Sequence, residues 1–182
     1  MTTRRWIVTA LGKDRPGIVA GVTQVLYRLG CNLEDSAMTR LEGEFAIMLI
    51  FSASASKSSE TLLNAFAPLE RRLSLVIHLK PLTAKETNRP RSLGIRHLIS
   101  VYGADRAGIV FQVSDTLAHI GVNITDVHTH RSTGGKASLY LMLLEVEIPS
   151  RLSLASVEGK LKQLAKRLGV EVSVRLAEAD VL

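Results

Sequence analysis

Gly12-Lys13-Asp14-Arg15-Pro16-Gly17-Ile18-Val19 decides the fold, because it returns as Gly103-Ala104-Asp105-Arg106-Ala107-Gly108-Ile109-Val110, 91 positions later. The register holds without a gap from Trp6/His97 to Phe51/Met142. Along it Val22, Leu26, Gly30, Asn32, Asp35, Arg40, Gly43 and Ala46 also meet their own residue type. An ungapped match of that length marks a duplicated unit. Two copies are too few for a solenoid, so the chain reads as a tandem pair.

Working outward, Trp6 to Leu11 is a β-rich run that Gly12 bounds, the first expected strand. From Pro16 to Leu29 the apolar residues Ile18, Val19, Val22, Val25, Leu26 and Leu29 recur at helical spacing, and Gly30 ends the helix. Leu33 to Arg40 is a half-polar strand, Leu41 to Glu44 a turn, and Phe45 to Phe51 an apolar strand expected at the centre of a sheet and covered by helices. Ser52 to Ser59 reads as a loop entering a helix that carries Leu62, Leu63, Phe66, Leu69 and Leu73. Pro68 predicts a kink or break there. Leu75 to Leu82 closes the unit. The second copy repeats the pattern, with a turn at Ser132 to Gly135 and a last strand from Val170 to Leu176. The order is β-α-β-β-α-β, an α+β fold of two ferredoxin-like units, each an antiparallel four-stranded sheet with two helices on one face. The expected domains are 1–82 and 96–182, joined by a basic linker, 83–95.

At 182 residues, 46% hydrophobic and 22% charged, the chain has the balance of a soluble globular protein. A single cysteine, Cys31, excludes an internal disulfide and fits a reducing compartment; it is expected buried and inert. With no signal-peptide segment and no membrane-spanning run, the expected location is the cytoplasm, away from membranes. The formal charge of +6 invites a nucleic-acid reading. Much of it sits in one segment, where Lys80, Lys85, Arg89, Arg91 and Arg96 face Glu86 alone. Such a segment is either solvated chain or a contact for an acidic partner.

Two readings of the duplicated loop stand side by side. A helix N-terminus leaves amides without intrahelical partners and attracts an anion. Pro16 suits the first helical position, Gly17 lets a ligand approach, and Asp14 can hold a cation. Together these offer donors for the carboxylate of an amino acid and an acceptor for its ammonium. Alternatively Asp14 and Asp105 are N-caps and the glycines serve packing. Asn32 and Asp35, repeated as Asn123 and Asp126, begin the second strand, where the asparagine either forms a turn or binds an amino-acid backbone. His128 and His130 share a strand face, a geometry open to a metal, but no ligand cluster of familiar spacing surrounds them. No catalytic motif, cofactor or metal site is read.

The pattern Gly-x-Asp-Arg-Pro-Gly-Ile-Val, helix, Gly-x-Asn-(Leu/Ile)-x-Asp resembles the ACT domain, a module that senses small molecules, usually amino acids. A stand-alone pair resembles the glycine cleavage system transcriptional repressor family. That resemblance implies a non-catalytic regulator with glycine as its signal, restraining a separate DNA-binding activator; exposed sheet edges, which invite side-by-side pairing, give a homodimer as the expected assembly. The resemblance also implies a ligand site where domains pair, lined by Asp14, Arg15, Pro16, Gly17, Ile18, Asn32 and Asp35, and by Asp105, Arg106, Gly108, Ile109, Asn123 and Asp126. Ala107 departs from the family's proline. The alternative is a tandem amino-acid-binding regulator of a metabolic enzyme. Direct nucleic-acid binding is disfavoured, since the strands that would stack bases are aliphatic and only 4% of residues are aromatic. An enzyme is disfavoured because the two copies consume the residues.

Overall fold

A computed structural model of the protein describes residues 2–83, 86, 94–132 and 138–177. The chain divides into two compact units, Met1–Arg89 and Pro90–Leu182. The first holds β1 (Thr3–Lys13), α1 (Ile18–Arg28), β2 (Asn32–Leu41), β3 (Glu44–Ser54), α2 (Ser59–Leu73) and β4 (Val76–Pro81). The second holds β5 (Gly94–Ala104), α3 (Ile109–His119), β6 (Asn123–Ser132), β7 (Leu139–Pro149), α4 (Leu154–Leu168) and β8 (Val170–Leu176). The sheets run β2-β3-β1-β4 and β6-β7-β5-β8, and every pairing is antiparallel. This is the ferredoxin-like arrangement in both copies. Of the expected turn at 132–135 only Ser132 is described, as the last residue of β6; most of the expected linker lies outside the described residues, and Gly94 and Ile95 belong to β5.

Strand alternation sets the layers. Trp6, Val8 and Ala10 of β1 and Phe45, Ile47, Leu49 and Phe51 of β3 are buried on one face, with Trp6 opposite Phe51. Onto that face α1 places Ile18, Val22 and Leu26, and α2 places Leu62, Phe66 and Leu69. The second unit closes its own core around Ile99, Val101, Val113, Leu117, Met142, Leu144 and Leu161. The expectation that β3 is covered by helices holds for one face only: Met48 is half exposed on the other.

Three local expectations change. Gly12 does not bound β1, which runs on to Lys13. Instead a Cβ at Gly12 would lie 2.8 Å from Leu75, just as one at Gly103 would lie 2.8 Å from Val170, so the repeated glycine admits the chain leaving the second helix. β3 extends to Ser54, leaving Ser58 as the α2 cap, its side chain accepting from the Thr61 amide at 3.1 Å. Finally, α2 runs unbroken through Pro68. Proline deprives the Asn64 carbonyl of its donor, but Asn64 and Pro68 both lie on the exposed side of the helix, while Phe66 and Leu69 hold it to the core.

Candidate functional site

The duplicated loop is built the same way twice. Its helix is capped by glycine, Gly17 at φ 95° and Gly108 at φ 89°, and neither cap has a side-chain hydrogen bond. The N-cap reading of Asp14 and Asp105 is therefore corrected, and so is the placement of Pro16 inside the helix: it precedes the cap. Asp14 and Asp105 lie three residues upstream of these caps and meet Arg40 and Arg131 instead. The amides of Ile18 to Ala20 consequently keep their outward direction and carry the positive end of the helix dipole.

The acidic side chains turn the other way. Asp14 Oδ2 lies 3.2 Å from Arg40 Nη1, and Asp105 Oδ2 lies 3.7 Å from Arg131 Nη1. Each aspartate is about a third exposed and each arginine mostly exposed, so these are solvent-facing pairs. The backbone is pinned beside them: the Asp14 amide donates to Gly43 at 2.8 Å and the Asp105 amide to Ser138 at 2.9 Å. Arg15 and Arg106 hold the loop's other flank. Arg15 Nη2 donates to the carbonyl of Leu73, the last residue of α2, and Arg106 Nη1 to that of Leu168, the last of α4, at 3.3 Å. A guanidinium at a helix C-terminus satisfies free carbonyls and complements the dipole. Both arginines thus serve as struts between the loop and the second helix.

An open depression of about 720 Å³ lies on the first loop, lined by Asp14 to Ala20 with Met38 and Phe45. It gathers Asp14, Arg15, Pro16, Gly17 and Ile18 of the expected site but not Asn32 or Asp35. β2 runs from Asn32 to Leu41, and its Arg40 end meets the loop. Five residues of strand put Asp35 roughly 16 Å from Arg40, and Asn32 lies further still. One small ligand cannot touch both groups in a single unit. Asn123 borders a separate depression of about 460 Å³ with Phe111, Ser114 and Asp115. Asp35 and Asp126 have local tasks: each accepts from the next amide, Ser36 at 2.9 Å and Val127 at 2.8 Å, beside a β-bulge that recurs in both units. Asp126 also meets His128 Nε2 at 3.0 Å, which accounts for one of the paired strand histidines.

Sequence reasoning missed Arg40, Arg131, Met38 and Phe45. The arginines had a signal: they recur in register with the aspartates they meet. Cys31, expected buried, is half-buried; that burial pushes its thiol pKa up, with Lys57 pulling weakly the other way.

The ACT domain family model matches residues 4–80 and again 96–175. This chain belongs to the ACT-domain family. The glycine cleavage system transcriptional repressor of Escherichia coli (strain K12) is 28% identical over 174 residues, covering 93% of this chain and 88% of that protein. A UPF0237 protein of Streptococcus pneumoniae serotype 4 is 34% identical over 74 residues, 41% of this chain and 84% of its own. The crystal structure of an unknown protein from Galdieria sulphuraria matches with a TM-score of 0.80 and 26% identity, over 97% of this chain and 99% of that one. ACT-domain membership and the likeness to a regulator support a regulatory, amino-acid-sensing role. No helix among the described residues is long and apolar enough to cross a membrane.

Proposed function

We propose that the protein is a non-catalytic cytoplasmic sensor of a small amino acid, with glycine the first candidate, and that it controls transcription of glycine cleavage genes through a DNA-binding protein partner. One observation carries the sensing half: both copies keep a glycine-capped helix whose free amides stand beside an aspartate. The amides receive the carboxylate. Asp14 or Asp105 receives the ammonium, which competes with the neighbouring arginine in an exposed, weak pair that yields readily. Since Asn32 and Asp35 stand too far from the loop of their own unit, their contribution to such a site requires a second unit, as in a homodimer of chains. The partner half rests on the likeness to the Escherichia coli repressor across 93% of this chain.

Calorimetric titration with each of the twenty amino acids tests the sensing half. Binding of glycine or another small amino acid, weakened at least tenfold by Asp14→Asn together with Asp105→Asn, is expected. A folded protein that binds none of them refutes it.

A further inference from the structure

The helical faces of the two units differ in charge. Between α3 and α4 runs an open trough of about 610 Å³, and Lys160, Lys166 and Arg167 of α4 stand along one wall. All three are exposed, and none has an ion pair among the described residues. The acidic groups nearby are already engaged: Glu158 Oε2 meets Lys162 at 3.1 Å, and Asp115 Oδ1 meets His119 at 3.3 Å. Thr116, Gln163 and the partly buried Ile120 line the rest. The two second helices are both 15 residues long, and alignment end to end sets Lys160 against Ala65 and Gln163 against Pro68. Lys166 and Arg167 match Arg71 and Arg72, charges that complement the helix dipole in either unit. Lys160, two turns from that end, has no such role and extends the positive edge along α4 in the second unit alone.

We propose that the α3–α4 face of the second unit docks an acidic helical segment of a partner protein. Lys160 and Arg167 are separated by seven residues, about 10 Å along the axis, so carboxylates at i and i+7 of an opposing helix meet both. The open trough suits a segment laid along it, and Ile120 offers an apolar seat. A nucleic acid fits less well: no Phe, Tyr or Trp lines the trough to stack a base, and the one imidazole there, His119, is paired with Asp115. Arg106 ties this face to the second loop, since its hydrogen bond ends on Leu168, one residue beyond Arg167.

The proposal rests on the protein-partner reading above, and its test separates the two. The probe is a fluorescein-labelled amphipathic helix of about 20 residues with glutamates at i, i+3 and i+7, followed by anisotropy at low salt. The full chain is expected to bind it, and Lys160→Glu/Lys166→Glu/Arg167→Glu to weaken binding at least tenfold. The control Arg71→Glu/Arg72→Glu is expected to stay within about twofold. If the reversed variant melts early, Lys160→Gln/Lys166→Gln/Arg167→Gln carries the readout with a smaller loss in the same direction. No binding by the wild type, or equal losses in both units, overturns the proposal. So does random-sequence duplex DNA that binds more tightly than the peptide and is lost in the same variant. Amino-acid titration of the wild-type chain distinguishes the failures: ligand binding without peptide binding removes the docking face and leaves the sensor.

Discussion

The two units share a blueprint and differ in how they finish it. In the first, α2 ends on Ser74 in a left-handed conformation at φ 50°; in the second, α4 ends on Gly169 at φ 66°. At the start of the first strand, buried Trp6 is replaced by buried His97, whose Nδ1 lies 3.0 Å from the Ile95 carbonyl. Pro16 is replaced by Ala107, and Ala65 by Lys160. What does not vary is the loop machinery: the glycine cap, the aspartate–arginine pair and the arginine strut occur twice with the same partners. Core and edge residues drifted while the helix opening kept its geometry. Packing accepts many apolar combinations of similar volume, whereas a left-handed cap accepts little besides glycine.

The largest effects that break this comparison lie in the cores. Phe66 and Leu161 occupy equivalent positions, both fully buried in separate cores. Phe66→Ala is expected to cost about 3–5 kcal/mol and Leu161→Ala about 2–5 kcal/mol in urea unfolding. Trp6, the single tryptophan, sits in the first core, so its fluorescence should register the first variant strongly and the second weakly. Equal responses would mean that the cores unfold as one.

Next come the caps. No atom lies within 4 Å of a Cβ at Gly17, and the nearest to one at Gly108 is Gln112 Nε2 at 3.6 Å, so alanine meets no clash at either. Each substitution is still expected to destabilise by about 1–2 kcal/mol from backbone strain alone. A smaller effect sharpens the contrast at the second-helix ends. Ser74→Gly should stabilise the first unit by about 1 kcal/mol, and Gly169→Ser should destabilise the second by a similar amount, both read as shifts in melting temperature.

The smallest effects concern single side chains. Cys31, its thiol pKa raised by burial, should react with a maleimide at neutral pH several-fold more slowly than a free cysteine, gaining rate only above the ordinary thiol pKa. Its folded pKa exceeds its unfolded one, so its effect on stability is absent below the unfolded value and becomes a loss as pH rises beyond it. Glu86 has the opposite sign. Hydrogen bonds from Lys80 at 2.5 Å and from Thr83 hold its pKa down to about 2, from 4.5. Its contribution is present above 4.5 and fades as pH falls toward 2, a change that Glu86→Gln should remove from an acid-unfolding curve.

The fold was legible because a repeated register doubles every signal, and because strand and helix periodicities are local. Pro68 misled: the rule that proline breaks helices weighs a lost hydrogen bond, while the chain puts both residues concerned, Asn64 and Pro68, on the exposed side and keeps the core contacts of Phe66 and Leu69. Gly12 misled as well, since the reason for its lack of a side chain lies 63 residues away, at Leu75. At the site the free amides of the helix opening were legible, but the glycine caps were not, because Pro16 and Asp14 carry the stronger helix-start signals; nor was the partner of Asp14. Arg40 arrives through the β2–β3 hairpin, a contact set by strand pairing rather than by spacing. The same pairing carries Asn32 and Asp35 to the far end of the strand, a distance that motif reading compresses.

The most direct measurement is an amide NMR titration of the full chain with glycine. The account predicts shifts concentrated at the backbone amides of residues 17–20 and 108–111, abolished when Asp14→Asn and Asp105→Asn are combined. Shifts confined to other surfaces, or none at saturating glycine, would contradict it.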